Sequence, residues 1–243
     1  MTSAFGTPSA QASALDLRPR FRPAGDQGPR GTCVAFAVTA IHEAERGVDP
    51  PTQSPDDLAE EVLFWGAKQI DRDSSSGTKF SSANLALQQW GQPAEALWPY
   101  DPRRNSRGGP YSPPAAAIDP TSCHFTELRP IPADLTEIAS SLAGGRSVAI
   151  GIPVWDGLRL AEVEPLPAPT PDEMYPTRHA VVVVGINEGH SAILIRNSWG
   201  LRWGHEGHLW ISIDVLQIST GAWVVDDTPT QATLAIEGEE VLS

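Results

Sequence analysis

The stretch DQGPRGTCVAFA, residues 26–37, decides how the first half of the chain is interpreted. A tight Gly-Thr step leads directly into Cys33. Apolar residues then recur at helical spacing, at Val34, Val38 and Ile41. Thr32 is a residue type that caps helix N-termini, and Gly47 is one that ends helices. The pattern predicts a helix over residues 33–46 with a cysteine at its first position.

Two further helical patterns follow in the first half of the chain. One runs from Ser54, a plausible cap before a proline at the first helical position, to about Lys68, and the other covers residues 81–90. Prolines, glycines and arginines over about residues 101–120 then predict a long irregular crossing segment. The first half is therefore expected to be helical.

The second half has the composition of β-structure. After a predicted helix over residues 135–142, the runs SVAIGIPV (147–154) and HAVVVVGINEG (179–189) are short, apolar and β-branched. The runs SAILIRNSW and HLWISID continue the series. A helical half followed by a strand-rich half predicts an α+β fold with a cleft where two lobes meet.

Charge and composition restrict the possible partners. The chain has 243 residues, with 17 Lys and Arg against 30 Asp and Glu, which gives a net charge of −13. An acidic surface offers no field to attract a phosphate backbone, so a nucleic-acid partner is not expected. No apolar run approaches the roughly 20 residues that span a bilayer, so no membrane partner is expected. Two cysteines cannot form a disulfide framework, which favours a reducing, cytoplasmic location.

Four residues together have the chemistry of acyl transfer. Cys33 lies where the N–H dipoles of its helix lower a thiol pKa. His179 precedes a strand and can act as a general acid and base, and Asn197 follows 18 residues later. Gln27 lies on the loop before the cysteine, where an oxyanion needs a donor. A lone cysteine at a helix start is more often a small core residue, and only the combination favours catalysis.

The motifs around these residues resemble those of the papain-like cysteine peptidases. Family members carry Gln, then Gly and a Cys-Trp-Ala-Phe stretch, and the first block here has Gln27, Cys33 and Phe36 in register. The blocks HAVVVVG and NSWGLRWGHEG match the second and third family motifs, and GQPAEALWPYD resembles a segment between them. The matches span about residues 16–213. The resemblance implies a papain-like fold, with a helical N-terminal lobe and a β-barrel-like C-terminal lobe on either side of the active-site cleft.

The resemblance also implies a role for each residue. Cys33 would be the nucleophile and His179 the base, paired as thiolate and imidazolium, with Asn197 orienting the imidazole ring. The Gln27 amide and the Cys33 N–H would form the oxyanion hole. Substrate contacts are expected from four residues, which are Ser76, Gly77, Ala180 and Trp199; the ring of Trp199 would also shield the His179–Asn197 hydrogen bond from water.

The chain departs from the family pattern at three points. Val34 stands where the family usually has a tryptophan, and Arg30 replaces the half-cystine of extracellular members. The family's inhibitory pro-segment has no counterpart before Gln27. These departures suggest a prokaryotic-type, disulfide-free version without a pro-segment.

Composition sets the expected limits of the two end segments, and the resemblance those of the domain between them. Residues 1–16 would be a flexible N-terminal segment and residues 17–225 the peptidase domain. Within that domain, the helical lobe would cover about residues 26–120 and the strand-rich lobe about residues 121–225. Residues 226–243 would form an acidic tail.

The expected function is peptide-bond hydrolysis through a Cys-His-Asn triad and a thioester intermediate. Two alternatives remain open: an amidase, deconjugating enzyme or acyltransferase with the same triad, and a papain-fold module that binds peptides without turnover. The expected partner is a peptide or protein substrate, with a regulatory protein as a further possible partner. No cofactor and no metal are expected, because His205 and His208 have metal-like spacing but no further ligands nearby.

Overall fold

The computed structural model describes residues 13–47, 57–104, 111–187 and 189–226. The described part contains the following helices: α1 (Cys33–Arg46), α2 (Glu60–Asp71), α3 (Phe80–Gln89), α4 (Leu135–Ala143) and α5 (Asp156–Leu160). Its strands are β1 (Ser13–Asp16), β2 (Gln92–Pro93), β3 (Cys123–His124), β4 (Leu128–Ile131), β5 (Val148–Pro153), β6 (Arg178–Asn187), β7 (Ala192–Arg196), β8 (His208–Ser212) and β9 (Thr220–Val225). The three longest helices lie in the first half and most strands in the second, as the sequence predicts.

One antiparallel sheet organises the second half of the chain. Among the described residues it has seven strands in the order β4-β9-β5-β6-β7-β8, and β1 pairs with the end of β6. The strand β6 is central, since its first half pairs with β5 and its second half with β7 and β1. The short strands β2 and β3 form a separate pair.

The two faces of β6 lie in different cores. Ala180, Val182 and Val184 pack with the helices α1, α2 and α3. Val181 and Val183, which alternate with them, pack on the opposite face with side chains of α4 and α5. This period-two alternation is what a strand covered on both faces requires. The helix α1 is buried along nearly its whole length against β6, so the position of Cys33 is fixed relative to this strand.

The N-terminal segment is partly ordered, against the sequence prediction. Residues 13–16 of the predicted flexible segment form β1, which pairs with β6 across a register shift. Leu15 and Leu17 pack on the core under the sheet, and this burial holds the segment in place. Residues 1–12 lie outside the described residues, and so does most of the predicted acidic tail, residues 227–243.

The second helix begins later than predicted. Its expected start at Ser54 lies outside the described residues, and Leu58 forms a β-bridge with Ala94 instead of a helical turn. The N–H of Ala59 donates to the carbonyl of Pro93, and α2 starts one residue later at Glu60. Within the described ranges, no helix is both long enough and apolar enough to span a bilayer.

Candidate active site

Cys33 is the first residue of α1 and is a partly exposed free thiol. Its sulfur lies at the backbone N–H of Ala180, the residue that follows His179 in β6. Burial raises the pKa of the thiol, and hydrogen bonds from the N–H groups of Ala180, Val34 and Cys33 itself oppose that rise without cancelling it. The expected cap is not formed, because the Thr32 hydroxyl bonds to the Tyr100 hydroxyl at 2.7 Å instead of the helix backbone.

His179 is the second residue of β6, is only 5% exposed, and is hydrogen-bonded through Nε2 to Oδ1 of Asn197 at 2.6 Å. The same oxygen accepts the backbone N–H of Ser198 at 2.7 Å, which identifies it as the acceptor end of the amide. An amide oxygen can only accept, so the imidazole hydrogen is on Nε2. A neutral His179 therefore has its lone pair on Nδ1, the nitrogen available as a base.

The ring of Trp199 covers this hydrogen bond. It stacks on the imidazole with ring centroids 4.5 Å apart and planes inclined by 30°. Burial lowers the pKa of His179 to about 4, and the hydrogen bond that its ring donates to Asn197 opposes that drop only in part. The sequence predicts a thiolate–imidazolium pair, and burial opposes the charged form of each of these two groups. The ion pair stays a prediction.

Gln27 is fixed on the loop that enters α1. Its Nε2 donates to the carbonyl of Arg30 at 2.6 Å, and its Oε1 accepts the hydroxyl of Ser198 at 2.6 Å. Its backbone N–H also donates to the Ser198 carbonyl at 2.8 Å, and its own carbonyl accepts the Tyr100 hydroxyl at 2.7 Å. These contacts leave one N–H of the side-chain amide free to bind a further acceptor.

Sequence reasoning missed two of the residues that hold this site, although both lie inside motifs it identified. Ser198 connects the two halves of the site, because its N–H binds Asn197 and its hydroxyl binds Gln27. Tyr100 bonds to both ends of the loop, at Gln27 and Thr32. The signal for Ser198 is its place directly after Asn197, and that for Tyr100 is the WPYD segment.

The residues predicted to contact substrate differ in what they expose. Ser76 is exposed and Gly77 is half-buried, and a Cβ on Gly31 would collide with the Ser76 carbonyl, so their loop lies against the residues just before Cys33. The side chain of Ala180, in contrast, is only 3% exposed and packs in the helix–sheet core. Its backbone N–H lies at the Cys33 sulfur, and its contact with substrate stays a prediction.

Lys68 holds the loop of Ser76 and Gly77 in shape. Its Nζ donates to Asp73 at 2.5 Å, to the Ser75 hydroxyl at 3.1 Å and to the Gly77 carbonyl at 3.0 Å. Its side chain is 13% exposed, and it also forms an ion pair with Asp71 at 3.4 Å. One cation at the end of α2 therefore sets the backbone of this loop.

The region around His205 and His208 does not resemble a metal centre. The two residues pair with each other through their backbone in a tight turn. Across the described part of the chain, no group of three or more His, Cys, Asp or Glu side chains is arranged to hold a metal ion.

Comparisons with known proteins agree on one family. The model of the papain family cysteine proteases matches residues 12–222. An uncharacterized peptidase C1-like protein of Acanthamoeba polyphaga mimivirus is 23% identical over 199 residues, and mouse (Mus musculus) cathepsin J is 26% identical over 200 residues. These alignments cover 75% and 79% of this chain but only 62% and 57% of the two relatives.

A solved structure supports the same assignment. Xylellain, a cysteine protease from Xylella fastidiosa, superposes with a TM-score of 0.74 at 26% identity, over 87% of this chain and 85% of that one. The two-lobed arrangement of helices and antiparallel sheet is thus that of the papain fold, as the sequence predicts. Since the family model covers most of the chain, this protein belongs to the papain family of cysteine proteases.

Proposed function

We propose that this protein hydrolyses peptide bonds with Cys33 as nucleophile, His179 as general base and acid, and Asn197 as the residue that orients the imidazole. The observation that carries the proposal is the hydrogen bond from Nε2 of His179 to Asn197, which keeps Nδ1 unprotonated. The contact of the Cys33 sulfur with the Ala180 N–H supports it, because that N–H follows His179 directly along β6.

In the first half-reaction, the sulfur of Cys33 attacks the substrate carbonyl carbon while its proton passes to Nδ1 of His179. The carbonyl oxygen becomes an oxyanion, which the free N–H of the Gln27 amide and the backbone N–H of Cys33 stabilise. The carbon–nitrogen bond then breaks, and the imidazolium gives its proton to the leaving amine. The acyl group remains on Cys33 as a thioester.

The second half-reaction consumes one water molecule. His179 takes a proton from the water as the water oxygen attacks the thioester carbonyl, and the same donors hold the second oxyanion. The carbon–sulfur bond breaks, and the sulfur recovers the proton from the imidazolium. The products are an amine and a carboxylic acid, and the enzyme returns to its neutral thiol and imidazole.

The proposal extends to the substrate and the compartment. A peptide or protein substrate fits the open side of Cys33, where the loop of Ser76 and Gly77 offers backbone groups and Trp199 offers a half-buried ring. Two free thiols, Cys33 and Cys123, fit the reducing cytoplasm.

The test is incubation of the protein with a peptide library, followed by mass spectrometry for new termini. Cys33→Ala is expected to abolish cleavage, because the nucleophile is lost, and Cys123→Ala is the matched control that should leave it intact. An acyl adduct on Cys33 that persists after release of the amine fragment, with no new carboxyl terminus formed, would indicate acyl transfer. Cleavage that survives Cys33→Ala would refute the proposal.

A further inference from the structure

A buried ion pair lies directly behind the loop that carries Gln27. The guanidinium of Arg30 binds Glu61 of α2 in a bidentate arrangement, with both N–O distances at 2.7 Å. The Arg30 side chain is 8% exposed and that of Glu61 is fully buried. Two charges so far from water need several partners to be tolerated, and a two-point contact between planar groups fixes orientation as well as distance.

Neighbouring groups complete the environment of this pair. The guanidinium lies 4.8 Å from the ring centroid of Tyr100 and 5.4 Å from that of Phe64. It also donates to the Asp101 carbonyl at 2.9 Å, and the hydroxyl of Tyr111 donates to the Glu61 carboxylate. The carboxylate of Glu61 raises the pKa of Arg30, which therefore stays charged. Rings and polar groups of the helical lobe thus surround the pair, although Nε of Arg30 has no hydrogen-bond partner among the described residues.

The same residues control the backbone around the Gln27 amide. The carbonyl of Arg30 accepts Nε2 of Gln27 at 2.6 Å, so the position of Arg30 sets the direction of that amide. The hydroxyl of Tyr100, whose ring stacks on the Arg30 guanidinium, donates to the carbonyl of Gln27. A shift of the guanidinium would therefore move the loop of residues 27–32 at both of its ends.

We propose that Arg30 and Glu61 are positioning residues for the oxyanion-hole amide of Gln27. The inference rests on the proposed function only in the name given to that amide; the contacts that tie the loop to α2 stand without it. Neither side chain touches the reacting atoms. Their effect is exerted through the Arg30 carbonyl and through the ring of Tyr100, so it applies to steps that form an oxyanion and not to the nucleophilicity of Cys33.

The decisive variant is Arg30→Lys. Lysine keeps the charge but cannot make the two-point contact or stack as a plane, so the loop loses its fixed position while Glu61 keeps a cation nearby. Since loss of a whole oxyanion donor costs about 100- to 1,000-fold in kcat, misplacement of one should cost about 10-fold or more, with little change in KM. Alkylation of Cys33 by iodoacetamide forms no oxyanion, so its rate should remain as in the wild type.

Two controls separate this role from a purely structural one. Arg103→Lys is the matched substitution, since the side chain of Arg103 is 90% exposed and pairs only loosely with Asp101 at 3.4 Å. The double variant Arg30→Met/Glu61→Met removes both buried charges, so that neither is left unpaired in the core, while the partly exposed Arg104 loses its 3.7 Å contact with Glu61. It should lose kcat as Arg30→Lys does. Hydrogen–deuterium exchange of residues 27–32 should rise in both Arg30 variants, with exchange of α1 unchanged.

Each outcome decides the matter. A fall in kcat with unchanged alkylation and faster loop exchange supports the positioning role. Unchanged kcat, or an equal fall in hydrolysis and alkylation, overturns it. If the wild type hydrolyses no peptide, the proposed function fails, and loop exchange alone then decides whether Arg30 and Glu61 position Gln27.

Discussion

The depressed pKa of His179 leads to a prediction about the acid limit of activity. The drop from 6.5 to about 4 corresponds to about 3 kcal/mol against protonation of the ring. The main cause of the drop is burial. The Trp199 ring, whose centroid lies 4.5 Å from that of the imidazole, covers His179 and can be removed by one substitution. Because His179 acts as a base only when neutral, activity should persist as the pH falls and be lost near pH 4 rather than near 6.5.

Trp199→Ala exposes the imidazole to water, which stabilises its charged form. The pKa of His179 should then rise from about 4 toward 6.5, so the acid limb should move up by about one to two pH units. At pH 5 the variant should therefore lose much more of its activity than at pH 7.5. Loss of a substrate contact by the same substitution would lower kcat/KM at every pH and would leave the midpoint in place.

The assay is the pH profile of kcat/KM at constant ionic strength, with the ¹⁵N shifts of the His179 ring as a direct record of its titration. Trp65→Ala is the matched control, since that half-buried ring packs on Trp90 in the helical lobe at 5.1 Å between centroids and should leave the midpoint unchanged. A wild-type limb near pH 6.5, or identical midpoints in the wild type and Trp199→Ala, would refute the reasoning.

Three further predictions follow from the geometry of the site. The difference in ultraviolet thiolate absorbance between the wild type and Cys33→Ala should be absent at pH 7 and appear only above pH 9, because burial raises the thiol pKa from 9.0. Ser198→Ala should lower kcat about threefold to tenfold with KM unchanged in steady-state assays. It removes the hydrogen bond that the Ser198 hydroxyl donates to Gln27, which is worth about 1 kcal/mol. Lys68→Met should raise KM about threefold to tenfold in the same assays with kcat nearly unchanged. The Gly77 carbonyl loses its hydrogen bond from Lys68, and its loop is expected to contact the substrate and the transition state equally.

Local sequence patterns predict the bounds of those helices and strands whose apolar residues recur at a regular spacing. The helix over residues 33–46 and the central strand after His179 are predicted nearly to the residue, because spacing and flanking residues agree. The strand β4 was missed since its sequence LRPI contains a proline, which is tolerated because β4 lies at the edge of the sheet. The start of α2 depends on pairing of Leu58 with Ala94, a contact between distant parts of the chain that no local pattern contains.

The same distinction applies to the site. The motifs predict which residues meet there, whereas the shifts in their pKa values depend on burial in the fold. His179 and Asn197 lie together because His179 is in β6 and Asn197 directly follows β7, the strand that pairs with β6. Sequence reasoning did not predict the burial that raises the pKa of Cys33 and lowers that of His179, because the helix dipole can be inferred from sequence and the loss of water around a side chain cannot. Arg30 illustrates the same limit: its replacement of a half-cystine is visible in the sequence, whereas its partner Glu61 is visible only in the fold.

Burial of Cys33 and His179 bears on where the barrier of the proposed reaction lies. The proton must leave the sulfur during attack, so the barrier depends on how well the developing oxyanion and imidazolium are stabilised at that moment. In the proposed mechanism, Asn197 stabilises the imidazolium through its oxygen, and Gln27 stabilises the oxyanion through its free N–H. Ser198 bonds to both amides, so the two stabilising groups are held in one rigid unit. We therefore expect rigidity of the oxyanion loop to contribute more to the rate of the proposed reaction than activation of the thiol before substrate binds.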